Sequence, residues 1–144
     1  MTTGTQSAEA VHPPKKWVLW SGRILSALPI LMMLMSATLK FMRPPQVVDS
    51  FVHQFGYPEN ELLILGVVEV ACALLYAIPR TAFLGAILVT GYLGGAIATH
   101  ARIGDPAFVS PLVLGIFAWA GLYLRDDRLR ALMPLRQTPA WPAM

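Results

Sequence analysis

The stretch ELLILGVVEVACALLYAIPRTAFLGAILVTGYLGGAIATH, residues 61–100, is two long apolar runs separated only by Pro79, Arg80 and Thr81. The second run, Ala82 to Thr99, contains no charged residue. A helix rises about 1.5 Å per residue, so each run is long enough to cross most of a hydrocarbon core of about 30 Å. Pro79 breaks the helical hydrogen-bond ladder, and a turn this short allows only an antiparallel return. The stretch therefore predicts a membrane-spanning helical hairpin.

Working outward, Ala107 to Leu124 is another charge-free run and ends at Arg125, while Trp17 to Phe41 is apolar except for Arg23 and Lys40. The expected fold is all-α: an integral membrane four-helix bundle with spans of about 17–41, 61–78, 82–100 and 107–124 inside a domain of residues 17–135. Residues 1–16 read as a disordered cytoplasmic tail and residues 136–144 as a C-terminal tail. Lys15 and Lys16 resemble the start of a signal peptide, but Arg23 interrupts the apolar run, which continues too long for one; retention as an anchor is expected.

Met42 to Asn60 has its own pattern. Pro44 and Pro45 precede Val47, Val48, Phe51, Val52 and Phe55 at helical spacing, with Asp49, Ser50, His53 and Gln54 opposite and Gly56 as a stop. A short amphipathic helix is expected there, lying in the interface between helices one and two.

Composition agrees. Hydrophobic residues make up 56% of the chain and charged residues 13%, against about 25% charged in ordinary soluble domains. The net charge of +3 comes from basic residues that flank apolar runs instead of forming a polar face with aromatics, so nucleic acid is not an expected partner. With four spans, Lys15, Lys16, Arg23, Arg80, Arg125, Arg128, Arg130 and Arg136 share one face, eight against the three of Lys40, Arg43 and Arg102. The positive-inside rule then predicts cytoplasmic termini, with the amphipathic connection and the His100 to Pro106 loop outside.

Glu69 is the residue that most needs a partner, because a carboxylate within a span costs several kcal/mol unless it is paired or protonated. Counting the helical rise puts Arg23 within about 5 Å of its depth, which predicts a buried ion pair between Arg23 and Glu69. The plainer alternatives are an Arg23 that reaches the inner headgroups and a neutral, hydrogen-bonded Glu69. Thr90 and Tyr92 fall at a similar depth. Gly91, Gly94 and Gly95 are expected to allow close helix packing, the alternatives being a homodimer face or room for a flat ring. At the outer end, Lys40, His100 and Arg102 offer hydrogen-bond donors beside apolar walls, so Glu69, Tyr92, His100, Arg102 and Lys40 form the candidate ligand site. The alternative is that they face headgroups. A single cysteine, Cys72, excludes a disulfide or CxxC pair within the chain; three histidines include no facing pair for haem; no metal cluster, nucleotide loop or nucleophile elbow is apparent. Catalysis by the chain alone is not expected.

The residues 61–104 stretch, followed by GIFAWAGLYLRDDRLRALMPL (residues 115–135), resembles the DoxX-like proteins, small four-helix bacterial membrane proteins of the wider DoxX superfamily. The resemblance is carried by Glu69, the Pro79, Arg80, Thr81 turn, the glycine-rich run ending in His100, and the Gly121 to Asp126 exit. It implies a bacterial inner-membrane location and, through the quinone-reducing oxidoreductase subunit that gave the superfamily its name, quinone as the cofactor class and a redox protein as partner. Three functions are weighed: a quinone-facing accessory subunit of a membrane oxidoreductase, a small-solute carrier using Glu69, and a structural or assembly factor without a small ligand.

Overall fold

The computed structural model describes residues 16–132, and among these there is helix and turn but no strand. The tails expected at either end, together with Lys15 and Arg136, lie outside the described residues except for Lys16. The helices are α1 (Lys16–Met42), α2 (Pro45–Asp49), α3 (Glu61–Ala77), α4 (Ala82–Arg102), α5 (Val109–Arg125) and α6 (Asp127–Leu132). A π turn, Ser50–Gln54, continues α2, and a 3-10 turn, Pro106–Phe108, leads into α5.

Three segments are long and apolar enough to cross a membrane: Lys16–Met42, Ala82–Arg102 and Pro106–Arg125. Their outward residues, such as Leu31, Leu84 and Ile116, are large, apolar and exposed, as lipid-facing side chains are. The fourth long helix, α3, has 17 residues and closes the ring: α1 packs on α3 and α5, and α4 packs on α3 and α5. Compared with the expected boundaries, α4 continues two residues beyond His100, and the basic stub after Arg125 coils into α6.

Local chemistry explains where each helix stops. Arg43 adopts φ 48° directly before Pro44, which ends α1, and Pro45 opens α2. Gly56 (φ 73°) and Gly104 (φ 69°) take the left-handed conformation that closes a helix. The Tyr57 amide donates to the Phe51 carbonyl at 2.9 Å, and the Asp105 amide donates to the His100 carbonyl at 3.0 Å. Between α3 and α4, Pro79 forces Ile78 into an extended conformation, and the Thr81 hydroxyl donates to the Leu75 carbonyl at 2.8 Å, which satisfies one of the carbonyls left free at the helix end.

The tightest packing lies at the end of the bundle where α1 begins. A Cβ added to Gly85 would sit 2.2 Å from the Tyr76 backbone nitrogen, and one on Gly22 would sit 2.9 Å from that of Arg125. Gly121 faces Gly22 and Ser26 as closely. These contacts let α3 touch α4, and α1 touch α5, backbone to backbone. The buried Tyr76 hydroxyl donates to the Ala118 carbonyl at 2.6 Å and lies 3.0 Å from the Ser26 hydroxyl, tying α3, α5 and α1 together. Arg125 donates to the Tyr76 carbonyl at 3.0 Å with its guanidinium over the tyrosine ring.

Gly91, Gly94 and Gly95 behave differently, and the close-packing role expected of them is not what the structure shows. A Cβ on any of the three would meet nothing within 4 Å. The spacing reports bare backbone, but no neighbouring helix advances to fill it.

Candidate functional site

The space left by Gly91 and Gly95 belongs to a chamber of about 590 Å³ in the half of the bundle farther from the α1 start. That volume lies within the usual range for a small-molecule site, about 300–1,000 Å³. Four long helices contribute to its walls, and Val47, Phe51, Phe55 and Tyr57 of the amphipathic connection contribute to its roof. The connection's apolar residues face the bundle interior: Val47 and Phe51 border the chamber, and Phe55 is buried.

Within this mostly apolar lining sits one ion pair. Lys40 donates to Glu69 Oε2 at 2.8 Å and to the Ser36 hydroxyl at 2.6 Å, with both charged residues buried. Isolated charges would be prohibitive here, and pairing with an added hydroxyl is what makes two of them tolerable. The Lys40 ammonium also lies 5.8 Å from the Phe51 ring centroid, over the ring.

The expected Arg23–Glu69 pair is corrected by this geometry. Ser26 is level with Tyr76, so Arg23 lies about 15 Å from Glu69 along the bundle axis by the helical rise. Trp17 is not level with the ends of the other helices: α1 overhangs them, with Gly22 already lying against Arg125, the last residue of α5. Arg23 is exposed and stacks on Trp20 with its guanidinium 5.5 Å from the ring centroid. Lys40 reaches Glu69 because helical side chains point back along their own helix, here from the end of α1 toward the interior. Phe41 confirms the level: its ring covers Gly66, one turn before Glu69.

Of the other candidate residues, Tyr92 and His100 line the chamber. Arg102 does not; its guanidinium donates to the Phe55 carbonyl and so anchors the roof to the end of α4. Thr90 faces the other side of α4, where Trp119 donates to it at 2.8 Å. Gly94 lies on that side too, in a shallow groove between α4 and α5. Pro79, Arg80 and Thr81 form the turn at the opposite end of the bundle. Among the described residues, no group of three histidines, cysteines or acids could hold a metal.

Sequence reading overlooked Asp105. His100 Nδ1 is 2.7 Å from Asp105 Oδ2, while Asp105 Oδ1 accepts from the Ala107 amide at 2.9 Å. These two hydrogen bonds, the backbone one first, hold the Asp105 carboxyl below its ordinary value. The signal was available: a glycine ending a helix at 104 folds the next residue back across the last turn, which brings 105 beside 100. Phe55 packs edge-on against the His100 ring at 5.0 Å, and Tyr57 and Thr99 hydroxyls are 2.8 Å apart, so the roof is fastened at several points. Ser36 and Ser110, which add polar atoms to the lining, carried no pattern that marked them.

The model of the DoxX-like family matches residues 24–121, which includes every polar residue of the chamber. The chain belongs to the DoxX-like family. Within this DoxX-like protein, the matched segment stops at Gly121, so Arg125 and the exit of α5 fall outside it. No curated protein and no solved structure matches the chain.

Proposed function

We propose that this DoxX-like membrane protein crosses the bilayer four times, with α3 as the fourth span, and holds a quinone-type ring in the chamber as an accessory subunit of a membrane oxidoreductase. A redox protein partner supplies the electron-carrying centre in this reading, and the location is the inner membrane of a bacterium with both termini cytoplasmic. The connection of α2 and the π turn then lies at the outer interface, as the roof.

The observation that carries the reading is the combination of bare backbone at Gly91 and Gly95 with a single polar corner. A flat ring needs a slot without side chains, and its carbonyl needs a donor; Lys40 and Tyr92 line the same space. A structural factor without a ligand would be favoured by a paired Glu69 and a filled interior, and only the first of these holds. A carrier that uses Glu69 as a free proton site is disfavoured, because Lys40 already occupies the carboxylate.

The test is a titration of the purified full-length protein with a decyl-tailed benzoquinone, followed by equilibrium binding. Gly91→Leu fills the slot and is expected to weaken binding by at least about tenfold with the melting temperature unchanged, because the new side chain enters empty space. Equal binding by both proteins, or none by the wild type, would overturn the proposal.

A further inference from the structure

We infer that the chamber is filled from the bilayer through a slot between α1 and α5, in the half beyond Pro29, and that its ligand is a tailed amphiphile whose chain leaves through that slot. The inference rests on the chamber being a ligand site and adds to it the route and the tail.

Three observations support it. First, the chamber's walls are unequal. Lys40, Glu69 and Leu93 are buried, but Met32, Met35 and Leu39, which border the same space from α1, are 41%, 54% and 42% exposed; on α4 the exposed lining is the side-chain-free Gly91 and Gly95. Ala107 of the 3-10 turn and Ser110 at the facing end of α5 also border the chamber and are exposed. In a membrane, those surfaces meet acyl chains. Unbranched methionines suit a passage whose occupant moves, because they repack at little cost.

Second, the route from water is fastened shut. Entry through the roof requires displacing buried Phe55 from the His100 ring, breaking the bond from Arg102 to its carbonyl, and separating Tyr57 from Thr99. Each broken hydrogen bond between partly buried groups is unfavourable, whereas a chain sliding from lipid into an apolar slot exchanges like for like.

Third, the covalent geometry of α1 places the opening. Near its start, α1 is clasped to α5 by Gly22 and Gly121 and by the Ser26, Tyr76 and Ala118 contacts. Pro29 then interrupts the backbone ladder, and every α1 residue that lines the chamber lies beyond it. The clasp closes one end of the crevice and leaves the other to the chamber.

The test uses the full chain in lipid nanodiscs with a tryptophan reporter inside the chamber, Tyr92→Trp, after Trp17, Trp20, Trp119 and Trp141 are each changed to Phe. Phosphatidylcholine brominated along its acyl chains is expected to lower the reporter's emission about twofold relative to plain lipid, and Ser110→Phe, which narrows the slot, is expected to restore most of it. An Ile64→Trp reporter on the lipid-facing side of α3 should be quenched in either background and shows that the variants are folded and embedded. If that control is quenched while the chamber reporter is not, or if Ser110→Phe changes nothing, the slot is overturned. Binding of tailed and untailed benzoquinones to the wild-type protein in plain-lipid nanodiscs, where Tyr92 keeps its hydroxyl, separates the two readings. Quenching without quinone uptake keeps the slot and removes the quinone, whereas uptake without quenching keeps the ligand and removes the slot.

Discussion

The two halves of the bundle use glycine for opposite purposes. In the half where α1 begins, Gly22, Gly85 and Gly121 are bare so that another backbone can fill the space, and a methyl group at any of them would overlap main-chain atoms. In the other half, Gly91 and Gly95 are bare and the space stays open, bordered by an ion pair and an aromatic roof. In a membrane, helix association comes from close packing and polar contacts and not from exclusion of water, so the clasped half holds the bundle together. Because it does, the open half is free to keep a chamber.

Exchange of the glycines tests this contrast and has the largest expected effect. Gly85→Leu forces α4 off the Tyr76 backbone and should cost about 3 kcal/mol or more, enough to prevent recovery of folded protein. Gly91→Leu, the same change six residues later, should stay within about 1 kcal/mol of wild type in a thermal melt in detergent. Similar losses from both would mean that the chamber is packed shut in solution and the halves do not differ.

The ion pair sharpens the contrast on the open side. Lys40 lies near the end of α1 with a long stem, so when Glu69 is changed to Gln its ammonium can withdraw toward the headgroups. Glu69 lies in the middle of α3 on a short stem and has no such escape. Lys40→Met should therefore cost about 3 kcal/mol, Glu69→Gln about half that, and the double variant Lys40→Met with Glu69→Met less than Lys40→Met alone. Thermal melts of the four proteins decide it. A larger loss from Glu69→Gln than from Lys40→Met would show that the lysine is trapped and cannot withdraw toward the headgroups.

How much of this was legible in the sequence follows from what each signal measures. Hydropathy and the Pro79 to Thr81 turn are local, and they located the apolar hairpin directly. The need of Glu69 for company was equally legible, because the cost of a buried carboxylate does not depend on which partner answers it. The partner was not legible: choosing Arg23 assumed that α1 starts level with its neighbours, whereas its packing on α5 at Gly22 shows it overhanging them. The Gly91 and Gly95 spacing was ambiguous for a related reason, since a missing side chain is the same in sequence whether a helix or a cavity lies opposite. Depth along the helices puts Lys40, Glu69, Tyr92, His100 and Arg102 into one candidate site, but the direct contact of Lys40 with Glu69 and the turn of Arg102 toward Phe55 depend on the relative placement of helices, which no single stretch of sequence contains.

The smallest effect concerns the roof, and it carries a pH signature. Asp105 lies outside the spans and holds its carboxylate form through the Ala107 amide and the His100 ring, so its folded value is lowered from the ordinary 3.8. A group lowered in this way contributes its stabilisation in full above the ordinary value and loses it as pH falls through the lower, folded one. Melting temperatures of the wild type should thus be insensitive to this group above about pH 5 and fall toward those of Asp105→Asn only in stronger acid. The gap between the two proteins should be modest, because the residue is near the surface and water screens it. A gap that is absent above about pH 5, or that persists undiminished in strong acid, would show that the Asp105 carboxylate does not hold the roof.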